Sequence, residues 1–290
     1  MNTAFYKTGD RILMTNNIYQ PLIFNNNISI SSKLLTHPSN INRLQNKMYI
    51  YELSKTEAQN CIVSGNSILI PCTNTTWLIG YNHSDNSAAF YCIGPSAHKR
   101  EYSFGDYEHY FCVHFDDICS YLAKGVPEDT YPSSMANEIY EYVPSKGSYE
   151  YDLIKDFKNS TSFDAHISMF NGFLKKGKQC CYVPANMIAL TDMIKKAYGS
   201  IHISELATSL GYSERHILRM FNETMGMSAK DYCKTVRFQT VISNMLSNKA
   251  LHNSAYIAGL GYSDQAHFQR EFKLFTGMTP RQFIKQTASF

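Results

Sequence analysis

The 290-residue chain holds no apolar run near the ~20 residues that a membrane-spanning helix needs, so no membrane association is expected. Its start, Met1-Asn2-Thr3-Ala4-Phe5-Tyr6-Lys7, lacks a basic stretch leading into an apolar core. No secretory leader is therefore expected, and the expected location is the cytoplasm. The eight cysteines include no CxxC pair and no Cys/His cluster at zinc-finger spacing, so neither a metal nor another cofactor is expected. A Gly-rich phosphate loop, a GxSxG elbow and an HExxH pair are all missing. These absences argue against the common nucleotide-, acyl- and zinc-dependent chemistries, and the chain is not expected to be an enzyme.

What is present divides the chain in two, as a length of 290 residues suggests, because a single core rarely grows past ~250 residues. From Ala185 onward there are 12 Lys+Arg against 7 Asp+Glu, whereas residues 1–184 carry 15 against 17. The small net charge of +3 thus hides a basic C-terminal third, which points to a polyanionic partner. Cysteine is skewed the other way. Cys61, Cys72, Cys92, Cys112, Cys119, Cys180 and Cys181 all precede residue 182. In a reducing compartment they are expected as buried small hydrophobes. The alternative reading is a thiol-based redox sensor using Cys180-Cys181 or Cys112 with Cys119.

The first ~115 residues read as mainly β. Residues 48–53, 67–70, 76–81, 88–93 and 109–115 are short and rich in β-branched and aromatic side chains. Turn formers such as Ser64-Gly65-Asn66, Asn82–Asn86 and Gly94-Pro95 separate them, and Asn25-Asn26-Asn27 reads as loop. Short strands at this spacing predict a barrel or sandwich. A short helix is predicted over Asp116–Lys124 and two more over Tyr149–Lys158 and Phe163–Lys176, with a linker near Gln179–Pro184. From Ala185 the helical period takes over. The expected fold is therefore α+β. It has a β-rich, barrel- or sandwich-like regulatory domain with C-terminal helices (1–178) and an all-α domain with two helix-turn-helix units (185–290).

The all-α part contains a repeat. Leu210-Gly211-Tyr212-Ser213 recurs as Leu260-Gly261-Tyr262-Ser263, fifty residues on. One extra residue then enters the second copy, so that Arg219-x-Phe221 matches Arg270-x-Phe272 and Gly226 matches Gly277. In each copy a short helix ends at a glycine that can turn left-handed, and Ser213, and Ser263 or Asp264, can cap the helix that follows. In those helices Ile217 and Phe221, and Phe268 and Phe272, mark an inner face. Arg215 with Arg219, and Ala266 with Arg270, mark another face, suited to a major groove. Between the copies, Asp231–Leu246 reads as one continuous helix, a strut between two readers.

Residues 185–285 resemble the DNA-binding domain of AraC/XylS-family transcription regulators. The resemblance is carried most specifically by Gly261-Tyr262-Ser263-Asp264-Gln265-Ala266-His267-Phe268-Gln269-Arg270-Glu271-Phe272-Lys273 and Gly277-Met278-Thr279-Pro280-Arg281-Gln282-Phe283. It implies seven helices and two recognition helices in adjacent major-groove segments of promoter double-stranded DNA. It also implies a separate regulatory domain and a transcriptional role, more often activation, that involves RNA polymerase. By position it places Arg215 and Arg219 on DNA in the first unit, and Gln265, Ala266, Gln269 and Arg270 in the second. One departure is Ile257, where the family usually has a small alanine, as at Ala207 in the first copy. The expectation is that Ile257 spreads the second helix pair and that the first unit packs more conventionally. Some DNA-repair methyl acceptors join a zinc-cysteine domain to such a unit, but the Cys61–Cys72 and Cys112–Cys119 spacings do not fit one.

Residues 67–71, 89–95 and 112–115 are similar to the β-rich N-terminal domains of some AraC-type regulators, which implies ligand sensing or dimerisation into a homodimer. From chemistry alone, Trp77, Tyr81, Tyr91 and His114 are candidates for lining an aromatic effector pocket, the alternative being that they are core. His98-Lys99-Arg100 is a compact cationic stretch that reads as a solvated loop, the alternative being a site for an anionic ligand.

Overall fold

A computed structural model describes residues 28–36, 47–55, 67–85, 87–115, 132–176, 184–246 and 254–287. The helix expected over Asp116–Lys124, the Asn25–Asn27 loop and Cys61, Cys119, Cys180 and Cys181 lie outside the described residues.

The N-terminal region contains strands β1 (Ile28–Thr36), β2 (Lys47–Lys55), β3 (Ser67–Leu69), β4 (Thr76–Tyr81), β5 (Ala88–Ile93), β6 (Arg100–Tyr102), β7 (His109–Phe115) and β8 (Ile139–Tyr142). Six of them form one antiparallel sheet in the order β1-β2-β7-β4-β5-β8, and β3 and β6 form a separate ribbon. Among the described residues no pairing joins β1 to β8, so the sheet is open and not a closed barrel. β1, β6 and β8 were not among the expected strands.

Two helices, α1 (Tyr149–Lys158) and α2 (Phe163–Lys176), cover one face of this sheet, and their bounds match the expected ones. Ser148 caps α1 by accepting from the Tyr151 N–H, Glu150 and Asp152 lie in its first turn, and Lys155 and Lys158 lie in its last. On this face Trp77, Ile79, Tyr81, Phe90, Phe111 and Phe115 pack against Leu153, Phe157, Ile167 and Phe170. On the opposite face Leu78, Tyr91, Ile93, Tyr110 and Cys112 pack with Leu69 and Phe104. β4 and β5 are buried at every position for this reason. A sheet covered on both sides has no solvent face, so these strands are apolar runs with no alternation.

Among the described residues seven helices follow: α3 (Ala185–Lys196), α4 (Ile203–Leu210), α5 (Glu214–Met225), α6 (Ala229–Leu246), α7 (Ser254–Gly259), α8 (Gln265–Thr276) and α9 (Pro280–Thr287). They bury two cores. Met187, Leu190, Ile194, Leu206, Ile217, Phe221 and Tyr232 fill the first. Phe238, Ile242, Ile257, Tyr262, Phe268, Phe272 and Phe283 fill the second. Helix α6 supplies both, from Tyr232 on one side to Phe238 and Ile242 on the other. At ~1.5 Å per residue its 18 residues span about 27 Å.

The β region touches both helical cores. Ile70, just after β3, is fully buried in the second one. Beside it the Gln239 side-chain amide of α6 donates to the Pro71 carbonyl. At the other unit the 3-10 turn Pro132–Met135 meets the end of α5. There Gly226 is left-handed, with φ +64°, and a Cβ would lie 2.3 Å from the Ser133 carbonyl oxygen. Glycine is required at Gly226 both by its backbone angle and by this close approach.

Candidate nucleic-acid interface

Each helix-turn-helix is set by its turn. α4 ends at Gly211 with φ +68°, and α7 is followed by Gly261 with φ +82°. The chain then extends until a polar side chain caps the next helix. Ser213 accepts from the His216 N–H at 3.2 Å, and Asp264 accepts from the His267 N–H at 2.7 Å. That backbone hydrogen bond, with one from the Ser263 hydroxyl, lowers the Asp264 pKa. The extra residue of the second copy is thereby located. Ser263 lies between the turn and the cap, and it bonds Asp264 and the His267 ring.

Counting from the caps makes α5 and α8 superimposable residue by residue. Arg219 and Arg270 each stand six residues after the cap, and Arg215 and Ala266 two residues after it. Leu218 and Gln269 stand five after it. The six residues expected to meet DNA, Arg215, Arg219, Gln265, Ala266, Gln269 and Arg270, are all solvent-exposed on these two helices. The inner faces are Ile217, Met220, Phe221 and Met225 in α5, and Phe268, Phe272, Phe275 and Thr276 in α8. Arg219 is held lightly. It lies 3.8 Å from Glu223 and donates to the His216 ring nitrogen at 3.2 Å. An exposed pair of this kind contributes only ~0.3–0.5 kcal/mol, so a phosphate or base can replace it easily. Lys273 and Arg281 add exposed charge near the second unit.

The turn tyrosines differ, and the second is the more deeply buried. Tyr212 is 37% exposed and packs at a tilt against His216, the ring centres 4.7 Å apart, whereas Tyr262 is 3% exposed. Arg237 of α6 covers Tyr262, its guanidinium 5.3 Å from the ring centre. The same Arg237 donates to the carbonyls of Gly261 and Gly199, each at 3.1 Å. Ile257 does not stand apart from this packing. It is buried in the second core, and its carbonyl accepts from Tyr262 at 3.4 Å, as Ala207 accepts from Tyr212 at 2.9 Å. The second unit is thus the better sealed at its corner, because α6 supplies a cation there.

The four effector candidates do not converge. Trp77 and Tyr81 lie on the helix-covered face of the sheet, and Tyr91 lies on the other. All four are buried, including His114, which bonds Thr76 at 2.6 Å. The described residues enclose a small cleft of about 70 Å³ lined by Val143, Pro144, Tyr151, Lys155 and Lys158 among others, and none of the four lines it. Arg100 is structural, donating to the carbonyls of Gly94 and Glu138, while Lys99 pairs with Glu101 at 2.7 Å. The described thiols, Cys72, Cys92, Cys112 and Cys233, are all buried. Burial pushes the Cys92 and Cys233 thiols up to about 12 and about 11, which disfavours the reactive thiolate.

Two features were not anticipated. One is a buried polar group: Glu52 accepts from the Tyr81 hydroxyl at 2.7 Å and faces His166 at 2.8 Å. Its partners lie 29 and 114 residues apart in sequence from Glu52, a separation that no local pattern marks. The other is Leu218, 40% exposed on the polar side of α5. A leucine off the apolar stripe is legible in the sequence, and it is the signal that the inner-face reading passed over.

Residues 206–286 match the family model described as a helix-turn-helix domain. This region of the chain is thus a helix-turn-helix domain, similar to those of AraC-type regulators. Relatives that match this region are named as regulators. An uncharacterized HTH-type transcriptional regulator of Staphylococcus aureus is 32% identical over 89 residues, which cover 29% of this chain and 11% of that protein. The Msm operon regulatory protein of Streptococcus mutans is 27% identical over 95 residues, covering 32% of this chain and 34% of its own length. The chain thus spans about a ninth of the length of the first of these relatives and a third of the second. Among solved structures, ToxT from Vibrio cholerae aligns with 91% of this chain and 99% of its own, at 11% identity and a TM-score of 0.43. Among the described residues no helix is long and apolar enough to cross a membrane.

Proposed function

We propose that the protein is a sequence-specific transcription regulator, an activator, that binds promoter DNA by placing α5 and α8 in successive major-groove segments. One observation carries this reading: two helices, capped alike, each expose an arginine six residues after the cap while burying the opposite face. An arginine so placed can make paired hydrogen bonds to a guanine edge. Arg215, Gln265, Ala266 and Gln269 flank the two arginines on the same exposed faces. RNA polymerase is the expected protein partner.

In this reading residues 1–178 are the regulatory domain and 185–290 the reader. Control comes from a small-molecule effector or from dimerisation. An effector contacting Trp77 and Tyr81 enters between the sheet and its helices. One contacting Tyr91 and His114 enters from the other face. Of the thiols named in the redox alternative, Cys112 is described and buried, and Cys119, Cys180 and Cys181 lie outside the described residues.

The test is selection of DNA fragments from a random pool by the purified full-length protein, followed by titration of the enriched site. Enrichment of one motif with two read segments, weakened by Arg219→Ala or Arg270→Ala, is the expected result. Enrichment of no motif, or binding indifferent to both substitutions, would overturn it.

A further inference from the structure

Helix α5 divides cleanly, with one exception. Ile217, Met220, Phe221 and Met225 are buried, while Glu214, Arg215, Arg219, Asn222 and Glu223 are exposed. Leu218 belongs by chemistry to the first set and by position to the second. It lies one turn from Arg215 and one turn from Asn222, beside Arg219. Its side chain is 40% exposed, and it is absent from both the buried and the partly buried members of the first helical core. An apolar side chain left in water next to two arginines adds little to the fold, and a polar residue would serve a merely solvated face better.

The second copy supplies the contrast. The equivalent position in α8 is Gln269, five residues after its cap as Leu218 is after its own. A glutamine side chain can pair with the edge of an adenine, whereas a leucine side chain has no donor or acceptor. The major groove offers one apolar feature, the C5-methyl group of thymine. We propose that Leu218 is a specificity-determining residue that reads a thymine methyl in the segment facing α5, so that the two units select chemically different bases at equivalent positions. This rests on the assignment of α5 as a recognition helix.

The experiment uses the full-length protein and its selected site. Each thymine is replaced in turn by uracil, which keeps the base pair and removes only the methyl group. One such replacement, in the segment weakened by Arg219→Ala, is expected to reduce affinity about fourfold, the equivalent of one buried methyl group. In Leu218→Ala the same replacement should have no effect, and thymine and uracil sites should bind equally. Leu218 lies outside the buried core, and the thermal midpoint of the variant checks that it folds as the parent does.

The inference is overturned if no uracil replacement in that segment matters, or if its effect persists in Leu218→Ala. It is also overturned if Leu218→Ala binds DNA as the parent does but fails to support transcription with purified polymerase, since the leucine would then face a protein. In each of these outcomes the selected, Arg219-dependent site still stands. Only the absence of any selected site brings down the DNA-binding reading itself.

Discussion

His166 faces Glu52 at 2.8 Å across the seam between α2 and the sheet, and its other ring nitrogen faces the carbonyls of Phe157 and Ser160 at 3.1 and 2.9 Å. Carbonyls only accept, so that nitrogen carries a proton. The nitrogen facing Glu52, which already receives the Tyr81 hydroxyl, is best satisfied if it carries one too. The result is a charged imidazolium that ties the end of α1 to β2. Burial works against this charge, but the hydrogen bond and charge of Glu52, helped by the two carbonyls, prevail and raise the His166 pKa.

A raised histidine pKa contributes stability fully below the unfolded value of about 6.5, and that contribution is lost as pH rises through the folded value. The difference in thermal midpoint between the protein and His166→Gln should therefore be widest near pH 6 and shrink toward pH 9. Glu52→Ala leaves a buried cation alone and should cost on the order of 3 kcal/mol at pH 6, measured by urea unfolding.

His114 works with the opposite sign. Its ring is fully buried, and burial pushes its pKa down to about 3. The folded chain holds this histidine neutral, so its contribution is present above the unfolded value of about 6.5 and is lost as pH falls toward 3. Unfolding at pH 5 should take up about one more proton at this site than at pH 8, and His114→Asn should flatten the acid limb of stability against pH. Equal slopes for variant and parent would contradict the burial of a neutral ring.

Arg219→Ala and Arg270→Ala should each cost ~1–3 kcal/mol at the selected site and relax preference at one base position, without lowering the melting temperature. Fluorescence anisotropy against single-base variants of the site measures both effects. Loss of affinity spread evenly over all sequences would instead mark a phosphate contact.

Ile70→Ala empties a fully buried position and should cost about 2–4 kcal/mol. The effect should appear in the second helical unit, as faster amide exchange in α6 and α8, although residue 70 is more than 160 positions earlier than Phe238 in the chain. Faster exchange confined to the sheet would show that the contact carries no stability.

In the C-terminal third, α5 and α8 were legible because they obey local rules. A glycine closes the turn before each, a polar cap opens the helix, and the apolar stripe repeats at the helical period. The caps even resolve the one-residue insertion, since Asp264 and not Ser263 takes the cap. The β region was legible only in part. β4, β5 and β7 are strongly apolar, but β6 is three residues long and β8 four, too short to show a period. Contacts between distant segments left no mark. Nothing near Ile70 announces that it fills a helical core, and Tyr212 and Tyr262 read alike although α6 covers only the second.

Arg237 holds the carbonyls of Gly199 and Gly261 at once, and the Ser200 hydroxyl donates to the Leu260 carbonyl at 2.7 Å beside it. The two units are thus bolted at their corners. A reader with loosely strung heads can follow half-sites that drift apart, but one bolted in this way carries a fixed gauge. One base pair inserted between the two read segments turns one against the other by about 35° around the duplex axis. A promoter that gained such a base pair would offer this protein one segment or the other, never both in phase.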